Sequence, residues 1–203
     1  MENELRNYED HEYDDNTREI KEIIDGKIYY MSRGTPTHVR IITRIAYRFN
    51  RYFDDKNKGC EANTSDLDVY LDKKNENNYV EPDISIICDD SKFFSKGYKG
   101  APELIVEVAS PKTRKRDRGA KFRLFEKAGV KEYWIVEPDL KSIEQYVLEN
   151  GIYSNKNTVT ILNETDAKEL TGEEKESYTT IIKPTIFDDL EIDVKEIFLK
   201  TDV

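Results

Sequence analysis

Cysteine and histidine are scarce in this chain. Its 203 residues hold two cysteines, Cys60 and Cys88, and two histidines, His11 and His38. The cysteines stand far apart in no paired spacing, which excludes a disulfide scaffold and a cysteine zinc site and fits a reducing cytoplasm. His38 is the only histidine outside the N-terminal tail, and no nucleophile elbow is present, so a serine–histidine–aspartate triad has little to stand on. No apolar run approaches the roughly 18 residues of a membrane span. The opening MENELRNYEDHEYDDNTREIKEIIDG lacks the apolar core of a secretory signal. Excess positive charge is missing as well. The net charge of −10 counts against bulk coating of nucleic acid, although it leaves room for a local basic cleft.

Charged residues make up 36% of the chain and hydrophobic residues 37%, but aromatics reach 11%, with 13 tyrosines. Disordered chains are poor in aromatics, and this length supports one domain with a real core. The expected organisation is an acidic mobile tail over 1–18 and a single domain over 19–203.

The segment KEIIDGKIYYMS reads as a hairpin turning at Asp25-Gly26. TPTHVRIITRIAYRFNRYFDDK reads as a long amphipathic helix capped by Thr35, with Pro36 at its first position. Its Arg40, Arg44, Arg48 and Arg51 face is expected in solvent. Strands are expected over 59–63, 66–71, 80–88 and 103–109. A helix follows over 115–128, ended by Gly129. The strands EYWIVE and SIEQYVLE come next, then an Asn150-Gly151 turn. Strands over 158–162 and 178–182 precede a short helix over 194–199. Strands, one crossover helix, then more strands predict an α/β (α+β) fold with a mixed central β-sheet flanked by helices.

The strand over 103–109 carries the chemistry. Leu104, Val106 and Val108 face one side of it, while Ile105, Glu107 and Ala109 face the other. A strand apolar on both faces is buried on both, and an unpaired carboxylate there costs several kcal/mol, so Glu107 must be protonated, paired or metal-bound. VEPDISIIC is a second apolar strand, interrupted near its start by Glu81 and Asp83. Pro82 argues that pairing begins near Asp83. In the following helix, Lys121, Leu124, Phe125 and Ala128 recur on one stripe, so a lysine takes an inward position. Asp117 lies one turn earlier on the same face. Two carboxylates and a lysine at a sheet edge suit Mg²⁺ or Mn²⁺, a hard cation that needs only one or two protein carboxylates. Such a cation binds a scissile phosphate and lowers the pKa of an attacking water, and the ammonium can orient that water or stabilise the transition state.

Asp83, Glu107 and Lys121 together resemble the signature of the PD-(D/E)xK nuclease superfamily. Ala109 occupies the usual lysine position, and the lysine has moved onto the following helix. The wider pattern, from EIIDGKIYYMS and PTHVRIITRI through EPDISIIC to APELIVEVASPKTRKRDRGAKFRLFEKAGVKEYWIVEP, is similar to the Uma-type restriction endonuclease family over about 22–198. The resemblance implies a restriction-endonuclease-like fold and a metal-dependent nuclease that acts on a nucleic acid, DNA first, in the cytoplasm. It implies a homodimer by analogy. It adds Glu22 and His38 to the catalytic candidates and the Val108 carbonyl to the metal ligands.

Each residue also has a plainer reading. Asp83 could serve turn chemistry after proline, Glu107 an ion pair with a nearby arginine, and Glu22 a pair with a lysine. His38 could be a structural partner. The Lys121 stem could lie on the surface with its amine in water. The basic run Lys112, Arg114, Lys115, Arg116 and Arg118 fits phosphate contacts that position a nucleic acid without reading it; a solvated helix start is the alternative, although cations oppose the dipole there. A binding module that keeps the fold without cutting is the rival for the whole chain.

Overall fold

Asp25 and Gly26 adopt positive φ, 50° and 74°, the conformation that a tight two-residue turn demands. They join β1 (Lys21–Ile24) to β2 (Lys27–Tyr30). The computed structural model describes residues 21–31, 33–71 and 78–201, and the acidic segment 1–18 lies outside them. Helix α1 (Pro36–Lys56) starts where Thr35 accepts the His38 amide and ends at Asn57 in the left-handed region. Its Ile41, Ile42, Ile45, Phe49, Tyr52 and Phe53 stripe is buried, as its spacing requires.

The chain continues through β3 (Glu61–Thr64), β4 (Val69–Tyr70), β5 (Ile84–Ile87), β6 (Phe93–Phe94), β7 (Gly97–Lys99) and β8 (Leu104–Val108). Then α2 (Arg114–Arg116) passes through a π-helical stretch, Asp117–Lys121, into α3 (Phe122–Ala128), which Gly129 closes at φ 84°. Strands β9 (Glu132–Glu137), β10 (Ser142–Glu149) and β11 (Ile152–Thr160) follow, then α4 (Glu164–Glu169), α5 (Gly172–Ser177), β12 (Ile181–Ile182), β13 (Ile192–Asp193) and α6 (Val194–Ile197).

The central sheet has six strands in the order β11-β10-β9-β8-β5-β3. Only β8 and β9 run parallel within it, because the helical crossover between them returns the chain to the same end. The sheet is mixed and lies between helices, as the sequence predicts. Alternation along β8 assigns the cores. Leu104, Val106 and Val108 pack with α1, Trp134 and Phe187 on one face. Ile105 and Ala109 pack with Phe125, Tyr133 and Ile135 on the other.

Several expectations are corrected. Of the α1 face expected in solvent, Arg51 is exposed, but the other three arginines hold the C-terminal segment. Arg40 donates to the Lys200 carbonyl at 2.8 Å, Arg44 donates to the Glu196 carbonyl at 3.3 Å, and Arg48 pairs with the Glu196 carboxylate. Cys60 and Cys88 form a disulfide, against the exclusion drawn from their spacing. They flank paired strands, since Glu61 stands opposite Ile87 in the β3–β5 ladder, so the register brings together residues 28 positions apart. The strand expected over 66–71 contracts to β4, because Asp66 takes φ 78° and turns the chain. The strand expected over 158–162 is the end of β11, which begins directly after the Asn150-Gly151 turn. Helices α4 and α5 were not anticipated; Asn163 and Thr171 cap them through their side chains. No helix among the described residues is long and apolar enough to cross a membrane.

Candidate active site

Ile84 pairs with Val106 across the antiparallel β5–β8 ladder, so the next step of that register sets Asp83 against Glu107. Both side chains are buried, at 7% and 4% exposure. Burial of this degree costs a carboxylate several kcal/mol unless it is compensated, and each has a partner. The Asp83 Oδ2 accepts the Val108 amide at 2.7 Å and lies 3.1 Å from the His38 Nε2. Asp83 thereby caps the end of β8 and links it to the first turn of α1. Burial lowers the His38 pKa, but the hydrogen bond and charge of Asp83 outweigh it, and the net shift is upward.

Helix placement brings the cation in. Arg114 donates to both Glu137 oxygens at 2.6–3.1 Å. Arg118 pairs with Glu137 and Glu144, each at 2.6 Å. Glu137 ends β9 and is buried, so this double clamp fixes the helical crossover against the strand beside β8. Burial alone would raise the Glu137 pKa, but the two guanidinium groups hold it below the usual carboxylate range. The π-helical stretch carries Asp117 and Lys121 inward, followed by Phe125 on the next turn. Single π turns concentrate at functional sites, where the extra residue re-aims side chains.

Lys121 is wholly buried, with its Nζ 2.6 Å from Glu107 Oε1 and 2.7 Å from Glu22 Oε1. Burial opposes its charge, yet Glu107, Glu22 and Asp117 together raise its pKa. These carboxylates favour the ammonium form of Lys121, which argues against a role as general base. Its stem does not lie on the surface. Glu22 reaches the site because Ile23 pairs with Tyr79 through backbone bonds of 2.9 and 3.0 Å, which docks the β1–β2 hairpin. The Glu22 carboxylate also takes the Glu81 amide at 3.2 Å and the Arg116 guanidinium at 3.3 Å. Arg116 lies over the Tyr29 ring, 5.5 Å from its centroid.

The structure thus brings Glu22, His38, Asp83, Glu107 and Lys121 to one place. The basic run divides. Arg114, Arg116 and Arg118 are engaged by the protein's own carboxylates, and Lys112 and Lys115 stand exposed at the helix start. Val108 turns its side chain into the α1 core and gives its amide to Asp83.

A family model described as "Putative restriction endonuclease", Uma2, matches residues 5–174. The chain belongs to the Uma2 family. An uncharacterised Synechocystis protein, slr1290, is 35% identical over 136 residues, which are 66% of this chain and 70% of that protein. A crystal structure of a putative nuclease of the DUF820 group from Anabaena variabilis superposes with a TM-score of 0.64 at 16% identity, covering 90% of this chain and 91% of that one. At that identity the likeness speaks for the fold, which is restriction-endonuclease-like.

Two further acids stand at this Uma2 site, and the spacing of the sequence assigns neither a role. Asp117 is 1% exposed, and neither of its carboxylate oxygens has a hydrogen-bond partner. Thr113 lies close enough to favour its charged form, but not in hydrogen-bond geometry. Its signal was present, since it shares the inward stripe with Lys121. Glu81 is half-buried, and burial together with the charges of Asp68, Glu22 and Asp66 pushes its pKa up to about 7. Unfolded, Glu81 titrates near its ordinary value of 4.5. The folded state therefore binds this proton more tightly. The stabilisation is complete at acid pH and is lost as the pH rises from about 4.5 to about 7. Glu107 and Asp117, also raised chiefly by burial, push in the same direction. In EDTA the melting temperature should fall between about pH 5 and pH 8, and Glu81→Gln should flatten part of that fall. Superimposable profiles for variant and wild type would show that Glu81 stays ionised.

The fit to a divalent cation can be judged from charge. Four buried carboxylates, Glu22, Asp83, Glu107 and Asp117, face two cations, Lys121 and Arg116. If all are ionised and His38 is neutral the surplus is two negative charges, the amount that one divalent cation neutralises; a protonated His38, 3.1 Å from Asp83, reduces it to one. Among the described residues no three histidine, cysteine or acidic groups stand close enough to hold a metal ion directly. A set of one or two carboxylates completed by water is the mode Mg²⁺ favours, and the residues present fit it.

Proposed function

We propose that this Uma2 protein is a divalent-metal-dependent endonuclease that hydrolyses phosphodiester bonds in DNA. The observation that carries the reading is the juxtaposition of Asp83 and Glu107 at adjoining strand ends with the Lys121 ammonium 2.6 Å from Glu107. Asp83 and Glu107 would hold Mg²⁺ or Mn²⁺, with the Val108 carbonyl as a third protein ligand. The bound cation would neutralise the phosphate and lower the pKa of the attacking water. His38 and the Val108 amide fix the rotamer of Asp83, so that its carboxylate is preorganised. Lys121, whose ammonium form the neighbouring carboxylates favour, would donate hydrogen bonds to the water and to the charge that develops on phosphorus oxygens. Lys112 and Lys115 would contact the phosphate backbone. By analogy with nucleases of this fold, a homodimer would cut both strands.

The test is a cleavage screen of the full chain over duplex, single-stranded and branched DNA and the corresponding RNAs, with Mg²⁺, with Mn²⁺ and with EDTA. Endonucleolytic DNA products that require the metal are expected. Salt-dependent binding to nucleic acid without cleavage under any metal would instead identify a non-cutting module. RNA products alone would move the substrate class.

A further inference from the structure

Asp117 is the one carboxylate of the buried cluster with neither oxygen in a formed hydrogen bond; the Thr113 side chain is the one nearby donor that favours its charge. Glu107 holds Lys121 at 2.6 Å, Glu22 holds Lys121 at 2.7 Å and Arg116 at 3.3 Å, and Asp83 accepts an amide at 2.7 Å. Asp117 has none of these, although it is 1% exposed and both of its oxygens are buried. It belongs electrostatically to the same site, since its charge acts on Glu107, Lys121 and His38, and Asp83 acts on it. Its backbone is held as well: the Tyr133 hydroxyl donates to the Asp117 carbonyl at 3.2 Å. An ionised carboxylate buried without hydrogen-bond partners is costly, and a side chain on the inward face of the π-helical stretch, its backbone anchored by a buried tyrosine, calls for an explanation outside the protein's own hydrogen bonds.

We infer that Asp117 is a third carboxylate of the cation site, a positioning residue that binds a hydrated divalent cation through its water shell. The inference rests on the reading of Asp83 and Glu107 as the direct ligands. Two features favour contact through water over direct contact. No three acidic groups among the described residues approach closely enough to share one ion. Mg²⁺ also dehydrates reluctantly and keeps several waters, whose O–H groups are the donors that two unpartnered carboxylate oxygens lack. Asp117 stands one helical turn before Lys121, so a water held by it would lie next to the ammonium.

The experiment is calorimetric titration of the full-length protein with Mg²⁺ and, separately, Mn²⁺, paired with melting curves in EDTA and in each metal. The proteins compared are wild type, Asp117→Asn, Asp117→Ser and Asp83→Asn. Outer-shell groups typically control metal affinity by about 10–100-fold. Asp117→Asn should therefore bind Mg²⁺ about tenfold or more weakly, while melting in EDTA at or above the wild-type temperature because a buried charge has gone. A merely structural aspartate would lower the EDTA melting temperature, which would overturn the inference. Asp117→Ser takes over if the asparagine variant does not fold, and failure of both to fold also identifies a structural role. Wild-type metal affinity in Asp117→Asn, with binding abolished in Asp83→Asn, would remove Asp117 and leave the proposed metal site standing. Absence of any metal binding by the wild type would remove both.

Discussion

Lys121→Met is expected to lose cleavage and a large part of its stability together. Methionine fills the space of the lysine stem, so packing is largely kept. The ammonium is not replaceable in the same way, because it lies at zero exposure between Glu107 and Glu22. Removing it leaves two buried carboxylates facing each other, and removing one partner of a buried ion pair costs about 3–5 kcal/mol. Cleavage should fall by about 100-fold or more, the range for loss of one preorganised donor. The two effects separate in the double variant Lys121→Met/Glu22→Gln, which removes one of the stranded charges. It should recover part of the stability, measured by urea unfolding in EDTA, and none of the cleavage, measured by single turnover where both proteins are folded. If the double variant regained cleavage along with stability, Lys121 would be a structural counter-ion, and the catalytic cation would have to be sought at Lys112 or Lys115, the two of the basic run left exposed.

The frame of this site was legible because it depends on short-range pattern. Period-two alternation in β8 sorts Leu104, Val106 and Val108 from Ile105 and Ala109, and it exposes Glu107 as the misfit; the two cores divide along that line. Pro82 marks the strand start that sets Asp83 at its end, and β5 begins at Ile84. Lys121 shows itself by occupying an apolar stripe. What stayed hidden depends on tertiary register. Nothing local to Cys60 and Cys88 announces that β3 and β5 will pair in the one register that joins them. The basic run looked like one surface, yet Arg114 and Arg118 answer to Glu137 and Glu144 on β9 and β10. Their partners lie 23 and 26 residues away. Glu22 entered only through family resemblance, because its contact with Lys121 requires the hairpin to dock by way of Tyr79. The π turn has no signature of its own in the sequence, although the four-residue spacing that sets Asp117 and Lys121 on one inward face is legible there.

Asp83→Asn is the sharper of the two ligand tests, because it separates the charge of Asp83 from its structural work. The Asp83 Oδ2 accepts the buried Val108 amide at 2.7 Å, and truncation to alanine would strand that donor at a cost of about 1–3 kcal/mol. Asparagine retains a carbonyl oxygen for the amide and gives up the negative charge. In EDTA the variant should therefore melt near the wild-type temperature. Wild type should gain stability with Mn²⁺ by mass action, about 2.7 kcal/mol when the metal stands at 100 times its dissociation constant. Asp83→Asn should gain almost none of it, because a neutral amide is a poor ligand for a hard cation and the surplus charge that attracts the ion is reduced. DNA cleavage should disappear with the stabilisation. Glu107→Gln should lose the same metal response while melting in EDTA no lower than wild type, because Lys121 keeps Glu22 at 2.7 Å and one repelling acid is gone. An unchanged Mn²⁺ shift in both variants would place the cation elsewhere and leave Asp83 as a cap for β8. A Glu107→Gln protein that unfolds would instead make the Glu107–Lys121 pair a structural bond, with the metal taken at Asp83 alone.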